Sequence, residues 1–318
     1  MYFNLDKIDI EPFIIGVGGG LLVGRLFFNK KQVFQAMETS YAGRDKFGIS
    51  KIYPTALGGK EWYSNWSQSR ILKTNTFDPL DPSFGVTCGT GAGQGLYIGG
   101  GKATWNADSS PRMYVHGPWK NTEQTVYARV RGSVSSIQLR SRANHHGAKD
   151  LPYPDMGVDP ATGKKEFSCG FGNYLVKWGE TGLNFVSVEL EIIHGMYKRH
   201  LIDKPLVIPK NQFVGFKTVT KNIPGGKIKV QGWNNLTGNH VTGWKKVIEY
   251  IFDGTNAALD SQESAQDQAR IAYCKDKGDK IAGDLNAHQI WTKSSYWNWL
   301  RTNNAKDVDY KYYSIREI

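Results

Sequence analysis

Hydrophobic and polar residues alternate along much of the chain beyond residue 77, most cleanly over residues 183–193, LNFVSVELEII. Val186, Val188, Leu190 and Ile192 point to one side of such a strand, and Ser187, Glu189 and Glu191 point to the other. The same period over residues 124–131 sends Val126, Ala128 and Val130 inward and Tyr127, Arg129 and Arg131 outward. Over 134–143 it sends Ile137 and Leu139 inward and Gln138, Arg140 and Arg142 outward, and over 227–233 Ile228 and Val230 inward and Lys229, Gln231 and Trp233 outward. Further strands are expected near 96–98, 102–105, 112–116, 171–178, 212–221, 244–252, 289–302 and 308–317, after a turn-rich opening at 77–91. Many short strands bounded by Gly, Pro, Asn and Asp predict an all-β sandwich or jelly roll and not βαβ units. Two long polar connections, 145–168 and 255–288, interrupt the pattern, with a short helix expected near 262–275. Connections of that length are usually functional or disordered, and here they would rim a groove.

The first 72 residues follow a different pattern and read as an extension, with the sandwich domain at 73–318. Residues 12–28, PFIIGVGGGLLVGRLFF, are apolar apart from Arg25, and Gly16, Gly20 and Gly24 recur every fourth position. On a helix that spacing makes a smooth face for membrane or helix association; the other reading is a glycine-rich loop or strand buried against the main domain. Asp6, Asp9 and Glu11 precede this run where a secretory signal would carry positive charge. A helix is expected at 32–47, with Val33, Phe34, Met37 and Tyr41 on one side, followed by a linker holding Trp62, Tyr63 and Trp66. That aromatic cluster suits either sugar stacking or packing onto the next domain, and packing is the favoured reading.

Composition supports the β reading: 36 Gly supply turns, and 10 Trp, 16 Tyr and 14 Phe suit half-buried pleated surfaces. A net charge of +11 gives a field that attracts polyanions. Nucleic acid is the least favoured of them, because the chain has no dense Lys/Arg tract and no nucleic-acid motif. Cys88, Cys169 and Cys274 lie far apart with no metal-type spacing, which leaves either one disulfide with a leftover thiol or three thiols. Asp78, Asp81, Asp253 and Asp309 lie near turns and make a structural calcium ion a candidate, without EF-hand spacing.

If the strands at 124–131, 134–143 and 227–233 are neighbours in one sheet, their outward residues make a cationic face with aromatic platforms. Guanidinium groups fork onto carboxylates and rings stack on pyranose faces, so the face would suit an acidic polysaccharide. The alternative is an ordinary solvated face of a basic protein. Catalysis on such a groove would be β-elimination: Arg140, Arg142 and Gln138 neutralise a uronate carboxylate, His194 takes the α-proton and Tyr197 protonates the leaving oxygen. Asn144, His145 and His146 are further candidates at the strand end, with Glu189, Glu191, Lys229, Gln231 and Trp233 as substrate-binding groups. Glu189 and Glu191 also permit hydrolysis by a carboxylate pair. His194 falls on the core face by parity unless a local turn redirects it, so a structural histidine stays open beside a catalytic one.

The tail DVDYKYYSIREI, the runs NQFVGFKTVTKN, GKIKVQGWNN and GWKKVIEYIFDG, and PRMYVHGPWKNTEQTVYARV before SRANHH resemble uncharacterised concanavalin A-like jelly-roll proteins of ammonia-oxidising archaea and related metagenomes. The resemblance spans residues 77–318 and implies a jelly roll of two antiparallel sheets. The same fold houses alginate-lyase-type polysaccharide lyases and carbohydrate-binding modules. Of the lyase motifs R-[ST]-E-L-R, Q-[IV]-H and Y-K-x-G-x-Y-x-Q, residues 136–140 keep Arg140, residues 192–194 keep His194, and Tyr310-Lys311 begins the third. The expected function is acidic-polysaccharide binding, with or without β-elimination, at the cell surface or outside the cell. The alternatives are a non-catalytic carbohydrate-binding module and a surface or virion structural protein.

Overall fold

The computed structural model describes residues 42–88, 95–143, 173–180, 183–193, 196–202, 206–254, 269–270, 272–273 and 295–318. Strands dominate them, and only Ala269, Arg270, Ala272 and Tyr273 are helical among the described residues. In chain order the strands are β1 (Glu61–Tyr63), β2 (Arg70–Lys73), β3 (Thr76–Asp78), β4 (Asp81–Cys88), β5 (Gly95–Gly99), β6 (Lys102–Trp105), β7 (Pro111–Trp119), β8 (Thr122–Ser133) and β9 (Ser136–Ala143). They continue as β10 (Asn173–Glu180), β11 (Leu183–Ile193), β12 (Met196–Ile202), β13 (Val214–Ile223), β14 (Lys227–Asn235), β15 (Lys245–Phe252), β16 (Ser295–Asn303) and β17 (Lys306–Glu317).

Two antiparallel sheets pack face to face. The nine-stranded sheet runs β15-β14-β13-β8-β17-β6-β5-β2, with β1 beside β17, and the eight-stranded sheet runs β12-β11-β10-β9-β16-β7-β4-β3. Consecutive strands often lie in different sheets, as β7 and β8 do and β8 and β9 do, which is the crossing connectivity of a jelly roll. The alternation dictates the core: Val126, Ala128 and Val130 of β8, Ile137 and Leu139 of β9, Val186, Val188 and Leu190 of β11, and Ile228 and Val230 of β14 meet between the sheets. Burying each such aliphatic side chain stabilises the fold by about 1.5–3 kcal/mol.

Strand β1 and the first three residues of β2 precede residue 73, yet β1 pairs with β17 and β2 with β5, so the nine-stranded sheet draws on residues read from sequence as the extension. Residues 42–56 continue this involvement as a strap over the outer side of the same sheet. Ile49 and Ile52 pack there on Tyr127, Val219, Trp233 and Trp244. Of the expected helix at 32–47, residues 42–47 are described and form bends, a bridge and a turn; the remainder, and residues 12–28, lie outside the described residues. Among the described residues no helix is long and apolar enough to cross a membrane. Trp62 stacks on Phe84 at 5.6 Å, meets Tyr313 edge-on at 5.2 Å, and Trp66 is buried in the core, so this part of the aromatic cluster packs.

Strand β12 is not among the strands expected from the alternation. Its MYKRHLI carries too many polar residues for a clear alternation, and it gains its ladder by pairing with β11 from Val186↔Ile202 to Ile193↔Met196. Strand β4 was hidden in the turn-rich opening because Pro82 and Gly85 weaken the strand signal.

Candidate functional site

The expected basic face does not form as one surface. Strand β9 lies in the eight-stranded sheet, whereas β8 and β14 lie in the nine-stranded sheet, so Lys229, Gln231 and Trp233 are on the opposite side of the sandwich from Gln138 and Arg140. Period-two alternation separates core from outside but does not say which sheet a strand joins. Trp233 is also not a platform: it is buried in the aromatic layer beneath the strap. Gln231 is buried and donates to Glu249 at 2.6 Å.

Arg142 is displaced as well. Between Ala143↔Trp297 and Arg140↔Trp299, two residues of β9 face the single Asn298 of β16, which is a bulge. Arg142 takes a φ of +57°, and its side chain turns in to the end of the sandwich. There it donates to the Lys120 carbonyl at 2.7 Å and to Asn121 Oδ1 at 3.1 Å. Burial pulls the guanidinium down to about 10, which leaves it charged at neutral pH.

What the fold does bring together is an array on the outward face of β9–β12. Cross-strand register aligns Trp299, Arg140, Leu175, Glu189 and Arg199 across β16, β9, β10, β11 and β12. Gln138 and Lys177 form the next pair along. Arg140 donates to Glu191 Oε2 at 2.8 Å and, from Nε and Nη2, to Gln138 Oε1 at 3.1 and 2.9 Å. Its guanidinium carbon lies 4.8 Å from the Trp299 ring centroid, and that of Arg112 lies 5.6 Å from the same ring. Glu189 accepts from Ser187 at 3.2 Å and lies 3.8 Å from Lys177 Nζ and 3.2 Å from Arg199 Nε. Most of these groups are buried: Arg140 is 3% exposed, Glu189 3%, Glu191 0% and Lys177 7%, while the Arg199 side chain at the β12 edge is 41% exposed.

Tyr197 stands opposite Glu191 in the β11–β12 register. His194, Asn144, His145 and His146 lie outside the described residues. Lys177, Trp299 and Arg112 join the array without having been singled out from sequence. The signal for Lys177 was present, because Tyr174, Val176 and Trp178 alternate with it along NYLVKWGE. Trp299 carried no such signal, since a tryptophan in an apolar strand reads equally as core. Among the described residues no three His, Cys, Asp or Glu gather as metal ligands. Asp78 is paired with Arg70, and Asp309 with Arg129 and Arg131.

Chemically, the array holds two carboxylates between cations. Neither Glu189 nor Glu191 is disposed as a bare nucleophile, since each already faces a cation. Gln138 Oε1 occupies the Nε and Nη2 side of Arg140, and the Glu191 carboxylate takes Nη1.

The chain matches no family model and no curated protein. Solved structures similar to it include the laminarinase from Rhodothermus marinus, with a TM-score of 0.42 and 8% identity over 81% of this chain and 98% of that one. The legume lectin-like domain from Entamoeba histolytica gives 0.38 and 9% over 78% and 97%. The endo-beta-1,4-glucuronan lyase from Trichoderma reesei gives 0.34 and 10% over 83% and 93%. At these identities and TM-scores the likeness says nothing of ligand or activity. The architecture itself, two antiparallel sheets in jelly-roll order, rests on the strand pairing described above.

Proposed function

We propose that the protein binds an acidic polysaccharide along the outward face of β9–β12. The observation that carries this reading is the charged lining of that face. Ionised groups buried in a sheet surface cost more desolvation than apolar residues of the same volume, so ion pairs are a poor way merely to close a face. A face of this kind gains its use when a ligand carboxylate takes the place of a protein carboxylate. A uronate would take the Nη1 side of Arg140 in place of Glu191, with Gln138 holding Nε and Nη2 and Trp299 beneath the guanidinium. Arg199, at the exposed edge, would meet the chain first.

β-Elimination is the reaction that face would support if His194 and Tyr197 reach the α-proton and the leaving oxygen: Arg140 neutralises the carboxylate, the base removes the proton, and the C–O bond breaks as the acid delivers one. An extracellular or cell-surface setting goes with such a ligand. The test is to pass the protein over immobilised alginate and glucuronan and to follow the ultraviolet absorbance of unsaturated uronates in solution. Retardation that weakens in Arg199→Ala and Gln138→Ala supports binding, and absorbance that vanishes in His194→Ala adds elimination. No retardation on any polyuronate overturns the reading.

A further inference from the structure

The opposite side of the sandwich carries a second surface that the function above does not use. Beyond the edge of the strap, one row of the nine-stranded sheet runs in register through Ile71, Tyr97, Thr104, Asp309 and Arg129, on β2, β5, β6, β17 and β8. Four strand spacings make this row about 19 Å long. At one end Ile71 is 60% exposed and Tyr97 43%. At the other, Asp309 is buried and surrounded by cations: Arg129 Nε donates to Oδ2 at 2.9 Å and Arg131 Nε lies 3.3 Å from it, while Thr104 Oγ1 donates to Oδ1 at 2.7 Å and Lys102 Nζ lies 3.5 Å from that oxygen. Lys311 is two residues along β17, and its Nζ and the Arg129 guanidinium lie 4.7 and 4.8 Å from the Phe213 ring centroid.

The charge does not balance. Three cations gather around one carboxylate, with Lys311 further along β17, and the side chains of Arg129, Arg131 and Lys102 remain 32%, 41% and 39% exposed. Asp309 holds all three on the sheet while each side chain stays partly exposed, so a ligand meets cations that are already ordered and costs less side-chain entropy to bind. Tyr97 pairs with Thr104, which places its ring diagonally beside Lys102. An exposed ring next to a fixed cation matches a pyranose that stacks its C–H face and directs a carboxylate or sulfate sideways.

We infer that this row is a second glycan site, a flat surface on the nine-stranded sheet that binds an acidic polysaccharide through Arg131, Lys102 and Tyr97. Its residues are separate from Gln138, Arg140 and Arg199, and it stands whether or not the opposite face binds sugar. Nucleic acid fits it less well, because single strands are held by several stacked rings and this row offers one exposed ring. With two faces engaged, one protein would bridge two chains or hold one chain at two points, which raises apparent affinity for long polymers over short ones.

The experiment compares retardation of wild-type protein, Arg131→Glu/Lys102→Glu and Tyr97→Ala by sodium alginate in a native gel, at several salt concentrations and with thermal melts as a folding control. The double reversal is expected to lower affinity at least tenfold and to flatten the salt dependence. Tyr97→Ala is expected to lower it several-fold with the salt dependence kept. Unchanged retardation in both folded variants overturns the site, even if Gln138→Ala shows that the other face binds. Retention by phosphatidylglycerol vesicles or single-stranded DNA in preference to alginate also overturns it. Loss in these variants with no effect of Gln138→Ala keeps this site and removes the other.

Discussion

Lys217 Nζ and Glu123 Oε1 meet at 2.7 Å on neighbouring strands β13 and β8, and both side chains are buried beneath the strap. Arg316 closes on the other carboxylate oxygen at 2.9 Å. The backbone amides of Ile52 and Tyr53 both donate to Glu123 Oε2 at 3.0 Å, and Lys217 donates to the Ser50 carbonyl at 2.7 Å. One carboxylate therefore joins two strands of the sheet, the C-terminal strand and the strap.

Glu123→Gln should destabilise the protein by about 3–5 kcal/mol, because it leaves Lys217 and Arg316 as buried like charges. Urea denaturation at neutral pH reads this directly. The pH dependence has a definite sign. Burial raises the Glu123 carboxyl, but Lys217 and Arg316 outweigh it, so the folded group sits below its ordinary 4.5. A depressed folded value contributes stability that is present above 4.5 and is lost as pH falls through the folded value. The urea midpoint of wild type should therefore fall below pH 4.5, and the gap between wild type and Glu123→Gln should narrow there. A gap that stays constant down to acid unfolding would contradict this.

The apolar half of the strap makes an independent prediction. Ile52 is 1% exposed and packs with Ile49 on Tyr127, Val219 and Trp233. Ile52→Ala should cost about 2–4 kcal/mol through lost transfer energy and the cavity left behind. It should also raise tryptophan quenching by iodide, since Trp233 and Trp244 lie beneath. Full protection of the tryptophans in this variant would show that the strap stays down without the isoleucine.

Gly85 on β4 lies opposite Tyr114 on β7, and a Cβ added to it would come within 2.5 Å of the ring carbon Cζ. The ring is held edge-on by Phe77 at 5.7 Å and by Trp297 at 5.2 Å. Gly85→Ala should therefore destabilise by about 1–3 kcal/mol, as overpacking does. A second substitution, Tyr114→Leu, should recover part of that loss, which a thermal melt of the double variant checks.

The sheets were largely legible because alternation over residues 124–131, 183–193 and 227–233 reports burial directly: Val126, Ala128, Val130, Val186, Val188, Leu190, Ile228 and Val230 all lie in the core. Sheet membership was not, because β8, β9 and β14 each have an outward face and nothing local distinguishes one sheet's outside from the other's. Trp233 shows the same gap at the level of one residue: its parity is outward, but the outside there is covered by residues 42–56, far away in sequence. Of the candidate array, Arg140, Gln138, Glu189 and Glu191 were readable by parity. Their pairing with one another across β10 depends on strand order and was not.

Arg142 gives the sharpest test of that difference, since its parity places it with Arg140 and the bulge removes it. Its guanidinium donates to the Lys120 carbonyl and to Asn121 Oδ1, while Asn121 Oδ1 also accepts from the Asn222 amide at 2.8 Å. The side chain therefore ties the β7–β8 turn to the end of β13. Arg142→Ala strands the Lys120 carbonyl and empties a buried space, and it should cost about 3 kcal/mol. The +57° backbone adds a second discriminator: Arg142→Gly loses the same bonds but relieves the left-handed strain, so it should be more stable than Arg142→Ala by about 1 kcal/mol. Neither variant, measured below its melting temperature, should change retardation by polyuronates, whereas a residue lining the ligand face would. Denaturation curves for both, paired with affinity gels at low temperature, decide the point. Lost retardation in a variant that melts like wild type would return Arg142 to the binding face.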